Sequence, residues 1–360
     1  MNFLKYLCGV FFLCMSVCVQ AQEANWVRAF DVMWESRWHE NGVLQSVFRW
    51  PISSDAILTY SINASASKAN AERARDAFIL ITQTIGYTPK EMPEGADSVQ
   101  VQFEIRDFTP QELEKWACFT QQTSKGATYT KARVVLSERF AYRCVLHELM
   151  HVMGFPGHPT GDTVLSYFEG NRRSLKPIDT FILKAWYSDI IKPGMLPLAA
   201  NRALNNAWID QNVPEEDKDK ARAAEREWFT RLVVLLEAFA YGRGEPPTVL
   251  YRSGRLSTEG MKTGLMGVQG ILGATYLVGA GVSRDTTKAA DLLLKASQSG
   301  FAPATNLIAF GLPRGEWAGL QAQALCTWLR ESSAPRAGAP VANFEKALAS
   351  QACASTVENR

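Results

Sequence analysis

The sequence predicts an α+β domain followed by an all-α helical domain, and three observations predict it. Between Trp50 and Met195, runs with two-residue alternation interleave with runs of helical spacing. Beyond about residue 200 the strand signals nearly vanish. The segment KPGMLPLAANRAL (192–204), with two prolines and a glycine, separates the two regimes and puts the domain boundary near residue 200.

The chain opens on MNFLKYLCGVFFLCMSVCVQAQEANW. Lys5 precedes an apolar run from Tyr6 to Val19, and Val19-Gln20-Ala21 fits a small-x-small cleavage site, so residues 1–21 read as a secretory signal peptide. An apolar run of about 14 residues is shorter than the roughly 20 that a spanning helix needs. The expected product is exported, periplasmic or secreted, with a first domain over 22–198 and no transmembrane span. Residues 23–49 hold three tryptophans and the lone His39. They read either as part of that domain or as a prosegment.

Within the first domain, AILTYSIN (56–63) is strand-like, and SKANAERARDAFILITQTIG (67–86) has helical spacing with a Ser start and a Gly stop. SVQVQFEIRDF (98–108) alternates Val99, Val101, Phe103 and Ile105 with polar residues, as a half-buried strand does. A polar stretch containing Cys118 follows, then the β-branched TYTKARVVLS (128–137), and then a helix over FAYRCVLHELMHVMGF (140–155) that stops at Gly154. In the second domain, 200–360, a charged-then-apolar helix over 214–241 leads through the turn GRGEPP (242–247) into shorter helices.

Composition sets limits on function. With 47% hydrophobic and 21% charged residues the chain can bury a full core, and a net charge of +2 gives no sign of a nucleic-acid partner. The densest charged stretch, 214–228, mixes both signs as a solvated helix face does. Without the leader the cysteines are Cys118, Cys144, Cys326 and Cys353, an even number that suits disulfides in an oxidising compartment. Three pairings are possible. The local ones, Cys118 with Cys144 and Cys326 with Cys353, are the economical expectation; four buried thiols are the alternative.

HELMHVMGFPGH (147–158) holds three of the four histidines. His147 and His151 are four apart, so on a helix they face the same side, at the spacing that offers two imidazoles to one Zn2+. Glu148 projects beside them as a general base that takes a proton from activated water and passes it to a leaving amine. Catalytic zinc takes three protein ligands. His158 is the favoured third, with Asp162 and Glu169 as alternatives. Paired histidines that merely hydrogen-bond in a core are the bland reading.

The stretch resembles the metzincin metallopeptidases, whose HExxHxxGxxH pattern places the third histidine where Gly157 stands here; His158 follows one residue later. That family also carries a methionine turn under the metal, for which TVLSYF (163–168), with Leu165, and KPGM, ending at Met195, are the nearest counterparts. Tyr167 is a candidate oxyanion donor or a packing residue. A wider likeness rests on RWP (49–51), Cys118, KARVV (131–135), Cys144, LMHVMGFPG, LKPID (175–179) and IIKPGM (190–195). These are similar to a family of exported bacterial proteins known as a domain of unknown function, many members of which read closer to EELxQxLGLPND and lack the histidines. That resemblance implies a zincin-like fold and the Cys118–Cys144 bridge. This sequence keeps both histidines and the glutamate.

In the helical half, GVQGILGATYLVGAGVSRDTTKAADLLLKASQSGFAPA (267–304) resembles the Sel-one-like repeat, a relative of the tetratricopeptide repeat. The match runs through Leu272-Gly273, Tyr276, Gly279, Gly281, Asp285, Lys288-Ala289, Ala296 and Gly300, and it implies a helical hairpin that binds a protein partner. The sequence thus points to an exported zinc peptidase acting on peptides or proteins. The rival is an envelope adaptor that works through its repeats, and a zinc-dependent cell-wall amidase is a third class.

Overall fold

In a computed structural model, the described residues are 25–51, 57–166, 173–317, 319–331 and Cys353. The expected leader lies outside them, as do Tyr167 and Glu169. They form two compact units: residues 25–37, 46–195 and 200–230 make the first, and 38–45, 196–199 and 231 onward make the second. The single cut expected near residue 200 is therefore replaced by interleaved segments, with one division falling inside a long helix.

The first unit is α+β. Helix α1 covers 25–35. Strand β1 (Ile57–Ile62) leads to α2 (Lys68–Thr84), β2 (Thr88–Glu91), β3 (Val101–Arg106), α3 (Pro110–Lys115), β4 (Cys118–Lys125), β5 (Thr128–Ser137), α4 (Ala141–Val152) and α5 (Pro177–Trp186). Helix α6 (Pro197–Asn212) and the first half of α7 (Lys218–Ala240) follow. The sheet order is β2-β1-β3-β5-β4. The pairs β1–β2, β1–β3 and β3–β5 are parallel, and β4 runs antiparallel to β5 at the edge.

Local chemistry accounts for the main elements. Ser67 caps α2 by accepting from the Asn70 amide, and Gly86 ends that segment at φ 83°. In β3, Val101, Phe103 and Ile105 turn inward while Gln102 is exposed. Phe103 meets Phe78 of α2 edge-on at 5.8 Å, and Phe78 lies 4.5 Å from Tyr60 of β1, which joins helix to sheet. The polar stretch around Cys118 is a strand that alternation did not reveal. β4 is an edge strand with most of its residues exposed, so no apolar period is imposed on it.

Residues 25–37 and 46–51 belong to this unit, and the second of these segments is bonded to chain far downstream. Val47 donates to the Met195 carbonyl at 2.9 Å, the Trp50 indole donates to Val152 O at 3.0 Å, and the buried Arg49 donates to Trp186 O at 2.8 Å. RWP is a seam between the site helix and α5.

The second unit is helical: α8 (Val249–Arg252), α9 (Thr258–Val278), α10 (Thr286–Gln298), α11 (Ala302–Gly311) and α12 (Gly319–Glu331). The hairpin expected over 267–304 is α9–α10. A Cβ on Gly273 would stand 2.6 Å from Leu293 Cγ, so a glycine lets the two helices close. Asp285 caps α10 through the Lys288 amide at 3.0 Å. Both expected disulfides are present: Cys118–Cys144, with Cα atoms 6.2 Å apart, and Cys326–Cys353, at 5.5 Å. No described helix is long and apolar enough to cross a membrane.

Candidate metal centre

Helix α4 presents His147 and His151 one turn apart, both toward the same point. It ends at Met153, and Gly154, at φ 104°, reverses the chain. A side chain at Gly154 would also collide with the Phe48 carbonyl, 2.3 Å from its Cβ position. Phe155 and Pro156 then carry the chain back, and His158 joins the other two. The three Nε2 atoms form a triangle with edges of 3.1, 3.1 and 3.0 Å. His147 and His158 are each 3% exposed, while His151 is half-buried.

The partners of the outer ring nitrogens bear on what this triangle can hold. Nδ1 of His147 lies 2.8 Å from Val164 O, and Nδ1 of His151 lies 2.6 Å from Phe155 O. A carbonyl only accepts, so both Nδ1 atoms carry hydrogen, and in the neutral rings both Nε2 atoms offer lone pairs. With both rings neutral, the 3.1 Å approach of those two Nε2 atoms is an approach of two lone pairs. Lone pairs converging in a buried place call for a cation. Two nitrogens sharing a tetrahedral ion at about 2.0–2.1 Å stand roughly 3.3 Å apart, within a few tenths of an ångström of the observed edges. These residues fit a metal ion, and they are the group of potential ligands that converges among the described residues.

Position 157, next to His158, has no room for a side chain. A Cβ on Gly157 would stand 2.1 Å from Glu35 O and 2.8 Å from Ser36 C, because the segment after α1 passes directly against it. The Gly157 amide donates to Ser36 O at 2.9 Å. No side chain fits at 157, and the chain delivers its imidazole from 158. Asp162 does not join the group: its side chain is 65% exposed and pairs with Lys176 at 3.1 Å. Glu169 and Tyr167 lie outside the described residues.

Around the three histidines stands a layer that sequence reasoning missed. The buried Glu148 accepts from the Thr120 hydroxyl of β4 at 3.0 Å. The Gln122 side-chain amide of β4 donates to His151 O. Cys118–Cys144 clamps the same strand to the same helix, so bridge, Thr120 and Gln122 lie along one side of β4 at two-residue intervals. Asp179, fully buried in the first turn of α5, accepts from the amides of Val164 (3.1 Å) and Lys176 (2.9 Å) and from the Thr163 hydroxyl. Burial raises its carboxyl above the ordinary aspartate value against the pull of those donors. Asp179 thereby holds the turn whose Val164 carbonyl orients His147. Leu165 is wholly buried in the same turn. The legible signal for Asp179 was Lys-Pro-Ile-Asp, a proline at the first helical position with an acid two residues on. Thr120 and Gln122 carried none.

No family model, curated protein or solved structure matches the chain. The assignment of this site rests on its own chemistry.

Proposed function

We propose that the chain is an exported zinc-dependent peptidase with a zincin-like first unit, its ion held by His147, His151 and His158. The observation that carries the reading is the Nε2 triangle, in which two of the rings have their outer nitrogens committed to carbonyls. Three neutral imidazoles are a set that zinc accepts for catalysis. When bound, the ion supplies Lewis acidity toward water and a carbonyl oxygen.

The chain's own residues do the rest. Glu148 receives the proton of the attacking water and delivers it to the departing amine. The Thr120 hydroxyl fixes the carboxylate's orientation by donating to one of its oxygens. β4 is the last strand of the sheet, and its open edge gives an extended peptide backbone partners beside the site. That edge favours a peptide over other hydrolysable substrates. The paired disulfides suit an oxidising compartment. The Sel-one-like hairpin of the second unit is read as a surface for a protein partner.

The test is the metal content of the purified protein, followed by cleavage of a mixed peptide library. Bound zinc in the native protein, loss of zinc in His158→Ala, and retained zinc with lost cleavage in Glu148→Gln are the expected results. A native protein that takes up no divalent metal from stoichiometric solution refutes the reading.

A further inference from the structure

The ladder that joins β4 to β5 fixes which groups of β4 face outward. Cys118 pairs with Leu136, so Ala117 stands opposite Ser137, and the Ser137 amide donates to the Ala117 carbonyl at 3.2 Å. Bonded positions alternate in an antiparallel pair. Phe119, Gln121 and Thr123 therefore turn their N–H and C=O groups toward β5, while those of Cys118, Thr120 and Gln122 point out of the open edge. These last three are also the residues whose side chains reach α4, through the disulfide, Glu148 and His151 O. A peptide strand laid on the edge thus bonds to the main chain of Thr120, the residue that holds Glu148.

The other face of β4 changes character along the strand. The Phe119 ring lies 6.4 Å from that of Trp116 and 6.3 Å from that of Phe108. Phe108 is buried behind them, Phe119 is half-buried and Trp116 is 48% exposed. Two and four residues past Phe119, Gln121 and Thr123 are exposed and polar. The aromatic surface is one strand position wide.

We propose that β4 takes an extended peptide antiparallel to itself and selects a large apolar side chain, aromatic above others, at the peptide residue opposite Phe119. That residue falls in a non-hydrogen-bonded pair, where Cα atoms stand about 4.5 Å apart and side chains meet most closely. Aromatic pairs across strands gain from that contact. In the antiparallel sense the selected residue directly follows the one opposite Thr120, which is the residue nearest Glu148. The peptide residue opposite Gln121, two earlier, meets an amide and is not selected for apolar character. The inference rests on the peptide reading of the open edge and names which peptides that edge takes.

Fluorescence anisotropy of the full Glu148→Gln chain with a labelled nonapeptide, Thr-Ser-Thr-Ser-Phe-Thr-Ser-Thr-Ser, tests it without cleavage. The expected affinity is at least fivefold above that of the same peptide with Ser in place of Phe. N-methylation of the Phe nitrogen, which faces away from β4, leaves affinity within twofold, and N-methylation of either neighbour lowers it at least fivefold. The Phe-over-Ser ratio falls below twofold in Phe119→Thr and drops at least twofold in Trp116→Ser. Gln121→Leu creates a preference for a second Phe two residues before the first, a gain that misfolding cannot produce. No binding, a Phe-over-Ser ratio near one, a ratio unchanged in Phe119→Thr, or loss of binding on N-methylation of the Phe itself overturns the proposal. Peptides that bind with the expected pattern yet are not cut by the zinc-loaded native chain would overturn the peptidase reading and leave this subsite standing.

Discussion

Gly157→Ala tests whether the third imidazole is placed by the segment that follows α1. The added methyl would lie 2.1 Å from Glu35 O, and real Cβ atoms essentially never come closer than 3.0 Å, so backbone must move by about 0.9 Å. The obstacle is the main chain of Glu35 and Ser36, so no side chain can swing away to relieve it. Overpacking of this kind costs about 1–3 kcal/mol, or roughly 2–12 °C of Tm for a domain of this size. Metal–ligand distances tolerate about 0.2 Å. A displacement several times larger, one residue from His158, is expected to weaken metal binding at least tenfold although Gly157 ligates nothing. Chelator competition measures the affinity and calorimetry the Tm. Gly267→Ala is the control: it lies inside α9 with nothing within 4 Å of its Cβ position, and should leave metal affinity alone while gaining up to about 1 kcal/mol. Unchanged metal affinity and Tm in Gly157→Ala would refute the steric account of position 157.

Three further outcomes follow from the same geometry. Asp179→Asn, which loosens the turn that orients His147 through Val164 O, is expected to lower metal affinity about tenfold while far-UV circular dichroism stays native; an unchanged affinity would assign Asp179 to folding alone. Replacing Cys118 and Cys144 together by Ala opens a link of sequence separation 26, whose loss costs about 3.5 kcal/mol by chain entropy, readable as a lower denaturant midpoint. Glu225 is 2% exposed, and its carboxyl is raised above the ordinary glutamate value chiefly by burial, with Arg202 opposing. A raised folded-state pKa contributes stability that is complete below the unfolded value near 4.5 and is lost as pH rises through the folded value. Glu225→Gln should therefore be more stable than the native protein at pH 7 and lose that advantage toward pH 4; equal pH profiles for the two would contradict it.

What the sequence determined by itself is what depends on residues close together in the chain. A four-residue interval puts His147 and His151 on one helix face whatever surrounds them, and the alternation of β3 and the caps of α2 are equally local. The two disulfides join near neighbours, so proximity along the chain was enough to choose them. The hairpin at 267–304 was likewise legible, because a tight bend and close helix contact demand glycines at definite places.

Tertiary structure decided the rest, for one physical reason: those features are set by what distant segments bring to the same place. His158 converges on the other two histidines while Asp162 turns out to Lys176, and backbone at Glu35 and Ser36, more than a hundred residues upstream, leaves no room for a side chain at 157. Thr120 beside Glu148 depends on how β4 pairs at the sheet edge, where no apolar period marks the strand. Asp179 matters because the first turn of α5 returns to the turn at Thr163 and Val164, and residues 46–51 are tied in because the backbone of Val47 and Arg49 is paired with segments far along the chain. The helix carries the first two histidines on its own, and only the packing around the loop that leaves it brings the third within 3.1 Å of both.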